Sequence, residues 1–200
     1  MNNLIIIITI IVSFLLGSIP VGYIISNKLY GIDITKKGSG NIGSTNVGRI
    51  LGKKASIYTQ IADISKGLIP VILGLLIFNF INISISKDLF LSIIALAAIL
   101  GHDYTPFLNF NGGKGVNTTL GAFALIATIP VIIAVAMHFL LRLITPIVSI
   151  RSIVLGLTIP IVCAFMNFPI SIIVSASLAA ILIVIRHKSN IIKLINKEEN

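Results

Sequence analysis

Residues 31–49 read Gly31-Ile-Asp33-Ile-Thr35-Lys36-Lys37-Gly38-Ser39-Gly40-Asn41-Ile-Gly43-Ser44-Thr45-Asn46-Val-Gly48-Arg49. Ser39, Ser44 and Thr45 supply hydroxyls, Asn41 and Asn46 supply amides, and Arg49 supplies a planar fork matched to phosphate oxygens. Gly38, Gly40 and Gly43 free the backbone to approach a ligand and to offer successive N–H groups as an anion-binding concavity. No carboxylate interrupts residues 35–55. A flexible basic loop is the plainer reading, but this density of phosphate-suited donors favours a ligand site.

A second stretch, residues 101–119, contains Gly112-Gly113-Lys114-Gly115 ahead of an apolar run. Glycines opening a helix would aim backbone N–H groups and the helix dipole at an anion, and Lys114 would add a full charge. It is not a Walker P-loop, because Leu108 and Gly115 stand where that motif needs Gly and Ser or Thr. A nucleotide triphosphatase is therefore not expected. Further on, Ser149 and Ser152 are three apart and share a face if helical. His187 and Asn190 repeat that spacing in Arg186-His187-Lys188-Ser189-Asn190. From the residues alone, this last stretch is a basic cap on the final span.

Other chemistries lack their residues. Five places after His102, His138 and His187 stand Phe107, Leu143 and Ile192, so the His-x4-Asp pair of the common acyltransferases is missing. No His, Cys and carboxylate spacing suits a metal, no Gly-x-Ser-x-Gly elbow occurs, and the single Cys163 cannot form an internal disulfide. Neither metal nor cofactor is expected. Asp63 and Lys66 are read as a pair at i,i+3, and His138 as a packing or hydrogen-bonding histidine.

The elements that must position these groups are membrane helices. Of 200 residues, 56% are hydrophobic and 10% charged, too apolar for an ordinary soluble domain. Apolar segments cover residues 4–26, 57–81, 89–100, 120–141, 147–165 and 170–185, without the alternation a membrane barrel requires. The first lacks the basic lead-in of a cleavable signal peptide, so it is read as a retained span with its N-terminus outside. The net charge of +9 lies beside spans, so it is read as marking cytoplasmic loops, with an anionic substrate or anionic lipid head groups as the other use of the excess, rather than as a nucleic-acid surface. The loop 28–54 carries six basic residues and only Asp33 as an acid. If residues 120–141 crossed once, Arg142, Arg151 and the basic tail would fall outside. A helical hairpin turning near Pro130 places 14 of the 15 Lys and Arg at or near the inside, with Lys87 the exception. Its arms are short, which is tolerated where helices are buried or line a cavity. The expected fold is all-α: a seven-helix membrane bundle with two short helices, forming one domain over residues 1–200, N-terminus outside and C-terminus cytoplasmic. Residues 31–54, 101–119, 142–152 and 186–196 then share the cytoplasmic face.

Taken together, residues 17–20 (Gly-Ser-Ile-Pro) with 31–49, residues 101–121 and the Ser149–Ser152 region resemble the bacterial acyl-phosphate:glycerol-3-phosphate acyltransferases. Asp63-x-x-Lys66-Gly67 and Arg186-His187-x-x-Asn190 support the likeness, which runs nearly the whole chain. The resemblance implies seven helices in the bacterial cell membrane and a reaction. The sn-1 hydroxyl of glycerol 3-phosphate attacks a fatty acyl phosphate, giving lysophosphatidic acid and phosphate, the first acylation of phospholipid synthesis. It implies catalytic roles for Ser39, Arg49, Lys114, His187 and Asn190. Gly38, Gly40, Asn41, Thr45, Asn46, Gly112, Gly113, Ser149 and Ser152 are implied to bind substrate or shape its site. Membrane lipid and the soluble enzyme that makes acyl phosphate are the implied partners. The third stretch departs from the family pattern. Pro146-Ile147 replaces a basic or aromatic lead-in, and Arg151 replaces a small residue, either supplying the missing charge or facing head groups. The rival classes are a phosphate-ester transporter, which should carry polar groups near the bilayer midplane, and a lipid-binding protein without chemistry.

Overall fold

The computed structural model describes residues 2–196. Lys197, one of the tail's basic residues, and Met1 lie outside them. Among the described residues all regular structure is helical: α1 Asn2–Ser18, α2 Val21–Tyr30, α3 Ser44–Leu51, α4 Lys53–Phe80, α5 Lys87–Asp103, α6 Val116–Phe123, α7 Thr128–Leu141, α8 Val148–Phe165, α9 Ile170–Arg186 and α10 Lys188–Ile195. Four stretches are long and apolar enough to cross a bilayer: Asn3–Tyr30, Lys53–Phe80, Lys87–Leu108 and Val148–Phe165. The α9–α10 pair, bent by 54°, makes a fifth candidate, and α7 is apolar but shorter.

The apolar segment 120–141 is broken, as charge balance requires, but not at Pro130. The chain leaves helix over residues 124–127, and Pro130 sits in the first turn of α7. There its missing N–H would have had no intrahelical partner anyway. The first segment is interrupted as well, at Ile19-Pro20 between α1 and α2. The carbonyls freed at that break find buried partners. Thr105 Oγ1 donates to the Ser18 oxygen at 2.6 Å, and Lys66 Nζ donates to the Ile19 oxygen at 2.9 Å. In hydrocarbon surroundings an unanswered carbonyl would be costly, so these bonds give Lys66 a structural role. Lys66 also pairs with Asp63 at 3.0 Å, as the i,i+3 spacing predicts.

The helices pack as α1 on α5, α4 on α6, α7 on α8 and α8 on α9, with α5 also touching α4 and α9. Val71, Phe90, Ile94, Ile99, Phe123, Leu155, Ile159 and Cys163 fill the interior. Ile61, Ile132, Ile161 and Ile181 are more than half exposed on the outer faces, the pattern of a bundle bathed in lipid. Small residues set the close crossings. A Cβ on Gly67 would lie 2.1 Å from the Thr118 oxygen, and one on Gly121 would lie 1.9 Å from the Ile64 oxygen. These contacts seat α6 directly on α4 and fix where the Gly112–Gly115 turn arrives.

Candidate active site

Residues 31–43 would be a floppy loop if their polar groups faced water alone. Asn46, on α3 and 3% exposed, holds them instead. Its Nδ2 donates to the carbonyls of Asn41 at 2.9 Å and Lys37 at 3.0 Å, and its Oδ1 accepts from Ser39 N at 2.9 Å. Asn41 Oδ1 accepts from Gly43 N at 2.8 Å, and Gly40 N donates to the Lys37 oxygen at 3.0 Å. The Ser39, Gly40 and Gly43 amides are thus engaged by Asn46 and by the loop itself, because Asn side chains compete for nearby N–H groups. Of the backbone nest expected at Gly38, Gly40 and Gly43, the Gly40 N–H is therefore turned to a loop carbonyl and the Gly43 N–H to the Asn41 amide oxygen. A Cβ at Gly38 would meet Asn46 Oδ1 at 2.3 Å, so this glycine makes room for the Asn46 hub. Asp33 stays in its own turn. Its carboxylate accepts from the Thr35 hydroxyl at 2.6 Å and the Thr35 N–H at 3.1 Å. The hydroxyl bond is the main reason the carboxyl is held below its ordinary range.

The second loop is likewise closed on the protein. Gly112 N donates to the Asp103 oxygen at 3.2 Å and Gly113 N to the His102 oxygen at 3.0 Å. A Cβ on Gly113 would fall 2.0 Å from His102 Nε2. The carbonyls of the same two glycines accept from Arg186, Nη2 to Gly112 at 2.9 Å and Nε to Gly113 at 2.8 Å. The Arg186 guanidinium carbon lies 5.2 Å from the Tyr104 ring centroid, a cation–π contact. Gly112 and Gly113 therefore act as spacers whose N–H groups are engaged, contrary to the expectation that they point at a ligand. What projects from this turn is the Lys114 side chain, whose Nζ donates to Asn190 Oδ1.

These segments enclose one cavity of about 700 Å³. The first loop and α3 contribute Ser39, Asn41, Ser44, Thr45, Asn46 and Arg49. The second loop and α6 contribute Lys114, Gly115 and Asn117; α8 contributes Ser149, Arg151 and Ser152; the tail contributes His187 and Asn190. Asn117 Nδ2 donates to Ser44 Oγ at 3.1 Å, tying α6 to the start of α3. His187, 3% exposed, sits at the α9–α10 bend, where its Nδ1–H bonds the Ile183 carbonyl at 2.7 Å. Because a carbonyl only accepts, that contact places a proton on Nδ1 and fixes the ring orientation.

Ten of the fourteen residues assigned to the site by sequence lie on this wall, from four segments up to 151 residues apart. Gly38, Gly40, Gly112 and Gly113 do not. Sequence reasoning missed Gln60, Asp63, His102, His138 and Arg142 as lining residues. His138, expected to pack or hydrogen-bond, faces the cavity from α7. An ionisable group inside an apolar span is by itself a pointer to a site, and Asp63, His102 and His138 all carry that pointer. Among the described residues the lining brings Arg49, Lys114, Arg142 and Arg151 together with a single carboxylate, Asp63. That carboxylate is already paired with Lys66 and lies 3.7 Å from His102 Nδ1. Such a surplus of cations and hydroxyls suits ligands that bring their own negative charge.

Residues 7–197 match the family model described as glycerol-3-phosphate acyltransferase. The glycerol-3-phosphate acyltransferase of Clostridium acetobutylicum is 58% identical, over 98% of this chain and 99% of its own length. That of Endomicrobium trichonymphae is 40% identical, over 96% and 92%. Crystal structures of PlsY (YgiH), an integral membrane glycerol 3-phosphate acyltransferase, superpose closely. Its glycerol 3-phosphate form gives a TM-score of 0.89 and its lysophosphatidic acid form 0.86, each at 32% identity over 98% of this chain and 94% of the other. With the family model covering nearly the whole chain and the fold shared throughout, this integral membrane protein belongs to the glycerol-3-phosphate acyltransferase family.

Proposed function

We propose that the chain transfers a fatty acyl group from acyl phosphate to the sn-1 hydroxyl of glycerol 3-phosphate, giving lysophosphatidic acid and inorganic phosphate. The observation that carries this reading is a single cavity with four cations and a cluster of hydroxyls facing one already paired carboxylate. Both proposed substrates carry a phosphate, and related PlsY structures are described as glycerol 3-phosphate and lysophosphatidic acid forms. The hydroxyl oxygen bonds to the acyl carbon, and the bond from that carbon to the phosphate oxygen breaks. The hydroxyl proton passes to an oxygen of the departing phosphate, which leaves protonated. An acyl phosphate has a good leaving group, so the protein contributes mainly positioning and charge stabilisation. Ser39, Arg49, Lys114, His187 and Asn190 hold the reacting phosphate, while Ser149, Ser152 and Thr45 supply further substrate contacts. Asn41 and Asn46 shape the first loop, and no side chain serves as the base.

Purified protein in detergent or lipid should release phosphate and form lysophosphatidate from glycerol 3-phosphate and palmitoyl phosphate. Turnover with acyl-CoA or acyl carrier protein thioesters alone would reject the donor. No turnover with any donor would revive a phosphate-ester transporter.

The same reading sets the protein in the bacterial cell membrane, with seven crossings formed by α1–α2, α4, α5, α6, α7, α8 and α9. The short α6 and α7 are the arms of a hairpin, the N-terminus is outside, and the cavity opens to the cytoplasm. Cysteine labelling checks it against a low background, since the native Cys163 is buried. Ser84→Cys, between α4 and α5, should react with an impermeant maleimide on intact cells. Ser189→Cys, on α10, should react only after permeabilisation. Labelling of both from outside would overturn the orientation.

A further inference from the structure

Arg151 lies in the first turns of α8 and is 7% exposed. Its Nη2 donates to the Pro146 carbonyl at 3.1 Å. Its Nε is buried and has no hydrogen-bond partner among the described residues, and the same holds for Ser149 Oγ two positions earlier. Both residues line the cavity. Among the described residues the only carboxylate lining the cavity is Asp63, which pairs with Lys66. A guanidinium taken out of water without a counter-ion is costly, and one held beside a buried unpaired hydroxyl is costlier still. The burial also excludes a side chain turned outward to lipid head groups. An anion entering the cavity would resolve both deficits, since a phosphate can accept from the guanidinium fork and from a serine hydroxyl together.

We propose that the Arg151 guanidinium, with Ser149 Oγ, directly ligates a substrate phosphate in this cavity. The inference rests on the acyl-transfer reading for the identity of the substrates. The ligand is a phosphate monoester or an acyl phosphate head, and kinetics decide between them.

The test uses purified full-length protein and the variants Arg151→Ala, Arg151→Lys and Ser149→Ala. KM is measured for glycerol 3-phosphate at saturating palmitoyl phosphate, and for palmitoyl phosphate at saturating glycerol 3-phosphate. Loss of one charge-assisted contact should raise KM for one substrate by about 10- to 100-fold and leave the other within about threefold. The substrate affected identifies the phosphate. Arg151→Lys keeps the charge without the planar fork and should fall between wild type and alanine. It also serves if Arg151→Ala does not fold. Thermal protection by glycerol 3-phosphate and by inorganic phosphate is measured in parallel, without turnover. It should weaken in the Arg151 variants even if acyl phosphate proves not to be the donor, which separates this inference from the donor assignment. Unchanged KM for both substrates with protection intact would assign Arg151 to pinning the Pro146 carbonyl and overturn the proposal.

Discussion

Lys114→Ala should lower kcat/KM for acyl transfer by about 10²–10³-fold, equivalent to about 3–4 kcal/mol of transition-state stabilisation. The size follows from how little else the change disturbs. The Gly112 and Gly113 amides are bonded to the end of α5, and Arg186 holds both their carbonyls. The backbone of this turn is therefore fixed by groups that the substitution leaves in place. Lys114 is itself only half-buried, and its ammonium meets Asn190 at the cavity wall. Under the proposed reaction, alanine removes the charge from the site where negative charge moves onto the leaving phosphate. The assay pairs phosphate release with a thermal melt. Lys53→Ala, on the exposed first turn of α4 and away from the cavity, is the control and should stay within about twofold of wild type. Because Lys114 and Asn190 touch, the double variant should lose less than the product of the two single losses. A Lys114→Ala protein within about threefold of wild type, with an unchanged melt, would remove Lys114 from the site.

Sequence reasoning located the walls of this cavity because the informative residues are polar in apolar surroundings. Ser39, Arg49 and Lys114 announce themselves by type, and the basic loops place them on one side. The break in residues 120–141 was also readable, since an unbroken span would strand Arg142 and Arg151 across the bilayer. Its position was misjudged because proline at the start of a helix and proline at a kink look alike in sequence. The contributions of Asp63, His102 and His138 depend on which face of an almost uniformly apolar helix turns inward, and such a helix has no polar side to reveal that. The role of Arg186 was hidden for another reason. Its partners are backbone carbonyls 73 and 74 residues away, and carbonyls carry no sequence signature. The expected nest failed at Asn41 and Asn46. The same Gly, Ser and Asn composition can leave amides open or close them with Asn side chains, and the outcome depends on tertiary placement of α3.

Asn46→Ala should be nearly as damaging as loss of a catalytic charge, although Asn46 is uncharged. Three well-formed bonds join it to Ser39, Lys37 and Asn41. At about 1 kcal/mol each they contribute about 3 kcal/mol to holding the first loop. That energy is local, so its loss falls on loop order more than on the bundle, whose helix crossings lie elsewhere. Ser39 and Arg49 would then sample positions away from the phosphate, and kcat/KM should drop by about 10²-fold with a modest change in melting temperature. Asn46→Asp separates this explanation from simple loss of a contact. Aspartate keeps an acceptor for Ser39 N but turns a carboxylate toward the carbonyls of Lys37 and Asn41, where two donors had been, and adds negative charge beside the phosphate site. It should therefore be worse than alanine in activity despite being closer in shape. Proteolysis or hydrogen exchange across residues 34–43 should report loosening in both variants. If Asn46→Asp retained wild-type rates, the loop would not depend on those two donors, and Asn46 would have to act through the cavity it also lines.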